Sequence, residues 1–192
     1  MKAFFREIVI TAALAVAIFV LVQGTVQTFV VIGQSMQPNF ETGQRLIVNK
    51  AVYAFREPVR GEVVVFEPPN NGRQEDYIKR VIGLPGDTIE IKKGKVYIND
   101  APVNEPYIAS PPDYTVARLK IPEDSYFVLG DNRGNSNDSH NGWVVPRQNL
   151  VGKVWISIWP PGRWGIIPGF PLQEQLADAA SISLTGVNYQ QR

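Results

Sequence analysis

The sequence predicts a mainly β protein, built from packed antiparallel sheets and preceded by one N-terminal transmembrane helix. Three observations predict this class. Short runs rich in β-branched residues end at turn residues, as strands do. The 15 prolines and 16 glycines interrupt the chain too often for a helix bundle. Residues 8–40, by contrast, contain no Asp, Glu, Lys or Arg, which is typical of a chain that crosses a bilayer.

The predicted transmembrane helix is the first element. Residues 8–22, IVITAALAVAIFVLV, are almost purely aliphatic, and the residues behind them extend the uncharged run past the ~20 that a bilayer requires. Lys2 and Arg6 precede the run, and Glu41 is the first charge after it. The positive-inside rule therefore predicts a cytoplasmic N-terminus and an extracytoplasmic remainder.

A cleaved signal peptide is the alternative interpretation of this segment. Residues 22–24, Val-Gln-Gly, fit a small-residue cleavage site, but the uncharged run is longer than the ~7–15 residues of a signal-peptide core. We therefore predict a cytoplasmic N-terminus and anchor at 1–29, an extracytoplasmic β-rich domain at 30–170, and a flexible C-terminal tail at 171–192.

The predicted strands follow the anchor. Residues 87–100 alternate on both sides of Lys93-Gly94 and predict a hairpin. Residues 130–143, GDNRGNSNDSHNGW, are too polar and too rich in Gly and Asn to be a strand or a helix, so they predict a loop. Further strands are predicted at 45–53, 61–69, 124–130 and 151–160, and residues 76–87 form a strand-like run that ends in a Pro-Gly-Asp turn.

Composition excludes several classes of function. A net charge of +1 provides no electrostatic footprint for nucleic acid. The absence of cysteine excludes disulfides, thiolate catalysis and Cys-ligated zinc. His140 is the only histidine, so we predict no metal site and no cofactor.

Ser35 and Lys79 are the candidates for nucleophilic chemistry. A serine hydroxyl is a weak nucleophile until a neighbouring base takes its proton. Lys79 lies in a strand-like run, where a period of two places it on one face with Tyr77 and Val81. Burial of a lysine favours its neutral form, and lowering its pKa from about 10.4 to about 8 costs roughly 3 kcal/mol. The pattern leaves open which face of this strand is buried.

Four segments, in this order, resemble the bacterial type I signal peptidases (leader peptidases), membrane-bound serine proteases that remove signal sequences from exported proteins. The motifs are highly specific in combination, and the resemblance covers residues 30–155 together with the anchor before them. The four segments are GQSMQP (33–38), VRGEVVVFEPP (59–69), YIKRVIGLPGD (77–87) and GDNRGNSNDSH (130–140).

The resemblance implies roles for individual residues. Ser35 is implied as the nucleophile, with its own backbone N–H in the oxyanion hole, and Lys79 as the general base. Ser136 is implied to position the lysine amine, and Asp131, Arg133 and Asp138 to support the site. The residues implied at the substrate are Gly33, Gln34, Met36, Pro38 and Ile78, with Phe40 and Val64 as further walls.

The sequence also departs from the family pattern. Asn39-Phe40 replace Thr-Leu after the proline, and Glu62 replaces an aspartate. Gly33 stands where some members have a serine that helps to hold the oxyanion, so a second donor is not identified. His140 stands where an arginine is usual, as in cyanobacterial and chloroplast members. It leaves open a conventional triad of Ser35, His140 and Asp131 or Asp138.

The implied activity is cleavage of signal-peptide-bearing preproteins after small residues by a catalytic domain at 30–170. The implied location is the inner (plasma) membrane, crossed once, with a thylakoid membrane as the alternative. A non-catalytic, membrane-tethered β binding module and a soluble autocleaving repressor are the competing hypotheses. We expect Trp155 in the core, whereas the other aromatic and aliphatic residues of the last third, with the bilayer as partner, are candidates for an apolar surface: Trp143, Trp159, Trp164, Ile166, Ile167 and Phe170.

Overall fold

The computed structural model describes residues 2–69 and 75–176. The helices are α1 (Lys2–Thr25) and α2 (Val52–Phe55), with one more helical turn at 172–176. Short 3-10 turns are Arg133–Asn135, Ser139–Asn141, Arg147–Asn149 and Pro161–Arg163. The strands are β1 (Val26–Val30), β2 (Arg45–Asn49), β3 (Val63–Phe66), β4 (Tyr77–Gly83), β5 (Thr88–Lys92), β6 (Lys95–Ile98), β7 (Ala101–Pro102), β8 (Val116–Lys120), β9 (Ser125–Leu129), β10 (Val145–Pro146), β11 (Leu150–Trp159) and β12 (Gly165–Ile166).

The N-terminal helix stands apart from the β domain. Its segment Phe4–Thr25 has a mean hydropathy of 2.4 with no part buried by the protein, so by length and composition it is a candidate membrane span. The helix passes into β1 without a loop, and the backbone N–H of Lys50 donates to the Thr25 carbonyl at 2.8 Å. Val26–Val30, at the end of the predicted anchor of residues 1–29, already belong to the sheet.

The larger sheet is antiparallel and carries the order β1-β2-β11-β3-β4-β9-β10, with β12 added to β11. β1 lies at one edge and pairs only with β2 along this path. β4 lies near the other end, where β3 pairs with it from Tyr77 and β9 only from Arg80 onward. The start of β4 therefore has an edge that β9 does not cover.

The smaller sheet carries the order β7-β6-β5-β8. Its central hairpin joins β5 and β6 through Lys93 and Gly94, which both have positive φ, at 50° and 71°. Two consecutive residues with positive φ are what a type I′ hairpin turn requires. The hairpin predicted at 87–100 is confirmed.

The two sheets pack through one apolar core. Ile89 and Ile91 of β5 contact Ile82 of β4 and Phe127 and Leu129 of β9, and all five are fully buried. Residues of the larger sheet and its loops form two more buried clusters. One contains Val31, Met36 and Phe40, and the other contains Val64, Val81 and Val128. The predicted class, mainly antiparallel β with packed sheets and one N-terminal helix, is confirmed.

The strand predicted at 45–53 stops at Asn49, whose side chain accepts from the Val52 N–H at 3.0 Å just before helix α2. In the predicted tail, 171–192, Leu172 is fully buried in the core between the sheets. The rest of the predicted tail, 177–192, lies outside the described residues.

Candidate active site

Ser35 lies in a turn between β1 and β2 that its neighbours hold in place. Gly33 precedes it with φ at +87°, a conformation that favours glycine. The Gln37 N–H donates to the Gln34 carbonyl at 3.1 Å, and the Phe40 N–H donates to the Met36 carbonyl at 2.9 Å. The side chains of Met36 and Phe40 are buried in the core below. The buried side chains of Met36 and Phe40 therefore fix the turn to the core, and Ser35 is partly buried.

Lys79 meets Ser35 from strand β4. The distance between the Lys79 Nζ and the Ser35 Oγ is 2.7 Å. The same nitrogen donates to the Ile78 carbonyl at 2.8 Å and lies 5.3 Å from the centre of the Tyr77 ring. Only 4% of Lys79 is exposed, and its neighbours on the opposite face of β4, Ile78 and Arg80, are equally buried. Both faces of β4 are therefore buried.

The environment of Lys79 favours a neutral amine. Burial lowers the pKa of Lys79 from 10.5 to about 8, against the opposing effect of the Asp138 and Asp131 carboxylates. No salt bridge links Lys79 to an acid within the part of the chain that the structure describes. A large fraction of the molecules therefore carries an uncharged amine at mildly alkaline pH.

The acidic and basic residues of the polar loop pair with residues elsewhere in the fold. Asp131 is fully buried and accepts two hydrogen bonds from Arg80, at 2.8 and 2.7 Å. Arg133 donates to Glu105 at 2.9 and 2.7 Å and to the Gly130 carbonyl at 2.9 Å. Both pairs are bidentate, the strongest geometry for a guanidinium and a carboxylate. The prediction from sequence grouped Asp131 with Arg133 and missed both actual partners.

Asp138 organises the other end of this loop. Its carboxylate accepts from the Gly130 N–H at 2.8 Å and from the His140 N–H at 3.2 Å. The His140 Nδ1 lies 2.7 Å from the same carboxylate, and its ring stacks on Tyr114 at 4.1 Å. His140 is thus engaged with Asp138, while the hydroxyl of Ser35 contacts Lys79. Among the described residues, the hydrogen bond to the Ser35 hydroxyl comes from Lys79, and none links it to His140.

Ser136 is the one implied supporting residue that does not make its expected contact. Its Oγ is buried and has no hydrogen-bond partner among the described residues. It lies against Gly130, where a Cβ would come within 2.3 Å of the Ser136 Oγ and 2.4 Å of the Ser35 carbonyl oxygen. Gly130 is therefore required for the loop to approach the turn that carries Ser35.

A groove of about 450 Å³ opens over Ser35 and Lys79. The edge of β1 forms one wall, and the start of β4 forms the other. In an antiparallel strand, the backbone N–H and C=O groups of successive residues point alternately to one side of the strand and to the other. The backbone groups of Thr25 and Val31 form hydrogen bonds on the β2 side. Those of Thr28 and Val30 therefore point to the opposite side, toward the groove. Two extended strand edges thus border the groove.

The groove contains some of the implied substrate-binding residues and not others. Gly33, Gln34 and Ile78 line it. Met36 lies beneath it in the core, and Pro38, which follows a cis peptide bond, is not among its lining residues. Phe40 and Val64 are likewise core residues. The lining residues that the sequence prediction missed are Thr28, Phe29, Val30, Ile32, Glu75, Asp76, Tyr77, Asn135 and Asn137.

An apolar surface extends along β11 and β12. Trp159, Trp164 and Ile166 are 51%, 67% and 72% exposed. The prediction of Trp155 as a core residue is wrong, since 42% of it is exposed on the same strand. Of the other predicted members, Trp143, Ile167 and Phe170 pack against buried clusters.

Comparisons with known proteins identify the family. The family model described as "Signal peptidase, peptidase S26" matches residues 1–159. A signal peptidase I of Leptolyngbya laminosa is 49% identical over 138 residues, which are 69% of this chain and 68% of that protein. The thylakoidal processing peptidase 1 of Arabidopsis thaliana is 33% identical over 138 residues, 67% of this chain and 41% of that protein. A crystal structure of a signal peptidase I from Enterococcus faecalis V583 matches 52% of this chain and 97% of its own, with 33% identity and a TM-score of 0.45. The chain belongs to the signal peptidase family, peptidase S26.

Proposed function

We propose that this chain is a membrane-anchored serine endopeptidase that removes signal peptides from exported preproteins, with Ser35 as nucleophile and Lys79 as general base. The observation that carries the proposal is the 2.7 Å separation between a buried amine and a hydroxyl at the floor of a groove edged by two strands. Family membership supports the signal-peptidase activity, and this geometry supports the two residues.

The proposed reaction follows from the protonation state of Lys79. The neutral amine accepts the Ser35 proton as the Oγ attacks the scissile carbonyl carbon, and the tetrahedral intermediate carries the negative charge on its oxygen. Collapse breaks the C–N bond, and the ammonium of Lys79 donates its proton to the departing amine. Water then attacks the acyl-serine while Lys79 again accepts a proton, which releases the signal peptide and restores the serine hydroxyl.

Substrate binding is proposed as strand addition between the two open edges. An extended segment that lies between β1 and the start of β4 gains main-chain hydrogen bonds on both sides. Ile78 and Ile32 line the groove together with Ser35, and small side chains are proposed to lie there at the first and third positions before the scissile bond. The oxyanion is proposed to bind the Ser35 backbone N–H, because Gly33 offers no side-chain donor.

The supporting residues are proposed to act through the loop at 130–140. Asp131, Arg133 and Asp138 fix this loop by buried hydrogen bonds to Arg80, Glu105 and the Gly130 N–H. The Ser136 hydroxyl is buried without a hydrogen-bond partner among the described residues, beside Gly130 and the Ser35 turn. We propose that it forms a hydrogen bond with the Lys79 amine once substrate has entered.

The proposed location is a membrane crossed once by α1. Lys2 and Arg6 favour a cytoplasmic N-terminus, and the β domain then lies on the extracytoplasmic side. The exposed surface of Trp159, Trp164 and Ile166 is proposed to rest in the interfacial zone, where tryptophan is enriched. Relatives include a bacterial signal peptidase and a thylakoidal processing peptidase, and either membrane meets these requirements.

The test uses the full chain in detergent with a purified secretory precursor. We expect the wild type and His140→Gln to shorten the precursor by its signal peptide, and Ser35→Ala and Lys79→Met to leave it intact. Binding of the precursor without cleavage by the wild type would instead identify a tethered binding module. Cleavage by Lys79→Met with loss in His140→Gln would replace the lysine with a histidine base.

A further inference from the structure

The nucleophile turn is held against the loop at 130–140 by more than its own backbone. The Asn132 N–H donates to the Ser35 carbonyl at 3.0 Å, and the Asn132 side chain donates to the Gln34 carbonyl at 3.1 Å. These bonds attach residues 34 and 35 of the turn to Asn132. Farther along the turn, the side chain of Asn39 makes two more hydrogen bonds.

The carboxamide of Asn39 uses both of its N–H groups. The Nδ2 donates to the Asp131 Oδ2 at 2.7 Å and to the Tyr107 carbonyl at 2.8 Å. A carboxamide places two donors on one uncharged nitrogen, whereas a hydroxyl has one donor and an aliphatic side chain has none. Asn39 is partly buried, so an unmade bond at Asp131 or Tyr107 is not freely replaced by bulk water.

The acceptor of Asn39 is a fixed point in the fold. Asp131 is fully buried and held by both nitrogens of the Arg80 fork. Arg80 in turn donates to the Gly61 carbonyl at 2.8 Å and lies 4.3 Å from the centre of the Tyr107 ring. Asn39 therefore attaches the nucleophile turn to a rigid buried ion pair on one side and to the Tyr107 backbone on the other.

We propose that Asn39 is a positioning residue for the reaction at Ser35. Its two hydrogen bonds fix the end of the turn at Asp131 and Tyr107, and the Phe40 N–H to Met36 carbonyl bond carries this constraint back to the serine. The Ser35 Oγ is thereby held within reach of the Lys79 nitrogen. This inference rests on the proposed function, because it assigns Asn39 a role only if Ser35 is the nucleophile.

The expected signature is a loss of kcat without a loss of substrate affinity. Asn39 does not line the groove, so substrate binding is retained when its side chain changes. A misplacement of about 1 Å in a reacting group costs on the order of 100-fold in rate. We expect kcat to fall at least tenfold in Asn39→Leu, which removes both donors at similar volume, and by less in Asn39→Thr, which retains one. KM is expected to stay within about twofold in both.

Asn99 provides a matched control. Its carboxamide donates to the Asp87 carboxylate at 2.8 Å, and Asp87 is itself bidentate with Arg60, the same arrangement outside the groove. Asn99→Asp and Asn39→Asp each direct a carboxylate at a buried carboxylate–guanidinium pair. We expect both to lower the melting temperature, and only Asn39→Asp to lower kcat.

Steady-state cleavage of the precursor and thermal melting decide the outcome. The proposal is overturned if Asn39→Leu and Asn39→Thr retain wild-type kcat, if KM rises while kcat is unchanged, or if kcat in the Asn39→Asp and Asn99→Asp variants falls in parallel with the loss of stability. Should Asn39→Leu not fold, the graded loss in Asn39→Thr carries the same decision. If the wild type does not cleave the precursor, or if Ser35→Ala does cleave it, the result contradicts the proposed function itself rather than the role of Asn39.

Discussion

Replacing Lys79 with methionine tests whether a buried, nearly neutral amine lies at the centre of the site. Methionine has a similar length and no charge, so it keeps most of the packing of Lys79 in the 4%-exposed position. In the folded protein, burial lowers the pKa of Lys79 from 10.5 to about 8. At about 1.36 kcal/mol per pKa unit, the charged form of this lysine costs the folded state about 3 kcal/mol.

The sign of the effect depends on pH. Below about pH 8 the lysine is charged in both the folded and the unfolded chain, so the full penalty lowers the stability of the wild type. Between about pH 8 and 10.5 the folded chain has released the proton and the unfolded chain has not, so wild-type stability rises with pH. Above 10.5 the penalty has vanished.

Methionine removes this penalty and also the hydrogen bonds to Ser35 and Ile78. A net hydrogen bond contributes about 1 kcal/mol, so Lys79→Met should be about 1–2 kcal/mol more stable than wild type at pH 7. That gain corresponds to a rise in melting temperature of a few degrees for a chain of this size. Near pH 10.5 the difference should reverse, because only the lost hydrogen bonds remain.

The assay is thermal melting of both chains in the same detergent between pH 6.5 and 10.5, with Lys95→Met as the control for removal of an exposed lysine. Wild-type precursor cleavage, measured over the same range, should rise to a plateau with a midpoint near pH 8. A stability difference that stays constant across this range, or a Lys79→Met chain that is less stable at every pH, would refute the reasoning. So would a wild-type cleavage midpoint near 6.5, the range of histidine.

Three further outcomes follow from the contacts at the site and at the surface. Gly130→Ala places a methyl group 2.4 Å from the Ser35 carbonyl oxygen and should lower kcat at least tenfold, whereas Gly134→Ala, with nothing within 4 Å of the added carbon, should cleave like wild type. Arg80→Met leaves a buried carboxylate without its countercharge, and urea unfolding should show a loss of about 3–5 kcal/mol. Trp164→Ser should weaken flotation of the chain lacking residues 1–25 with anionic vesicles and leave its melting temperature within a degree or two, because the side chain is 67% exposed.

Local chemistry explains which parts of the fold could be predicted from the sequence. The β5–β6 hairpin was predictable because Lys93-Gly94 supplies the two positive φ angles that its turn requires. Strand β1 was not, because VQTFV continues an apolar run and its pairing with β2 is a contact between segments about 20 residues apart. The exposure of Trp155 could not be predicted either, since alternation along a strand does not reveal which of its two faces is covered by another layer.

The same distinction applies to the site. The motifs indicated Ser35 and Lys79 as partners, and the structure places their side chains 2.7 Å apart. The partners of the charged loop residues could not be read from the sequence, because Asp131 meets Arg80 across 51 positions and Arg133 meets Glu105 across 28. Asn39 stands where the motif has a threonine, and the sequence assigned it no role. Only the register of the folded sheets shows that its carboxamide reaches Asp131.

The continuity of α1 and β1 connects the site to the membrane that the proposed function requires. The helix ends at Thr25 and the groove wall begins at Val26, so no flexible linker separates the candidate span from the substrate-binding edge. Ser35 follows within ten residues, at most about 33 Å of extended chain. A signal peptide carries its small-residue cleavage site directly behind its own apolar segment. Two apolar helices in one bilayer therefore bring the cleavage site and the groove into the same thin layer, which raises their effective concentration without any further contact. On this proposal the side-chain pockets of the groove can be shallow and permissive. The membrane anchor brings enzyme and substrate together, and hydrogen bonds to the strand edges align the substrate backbone.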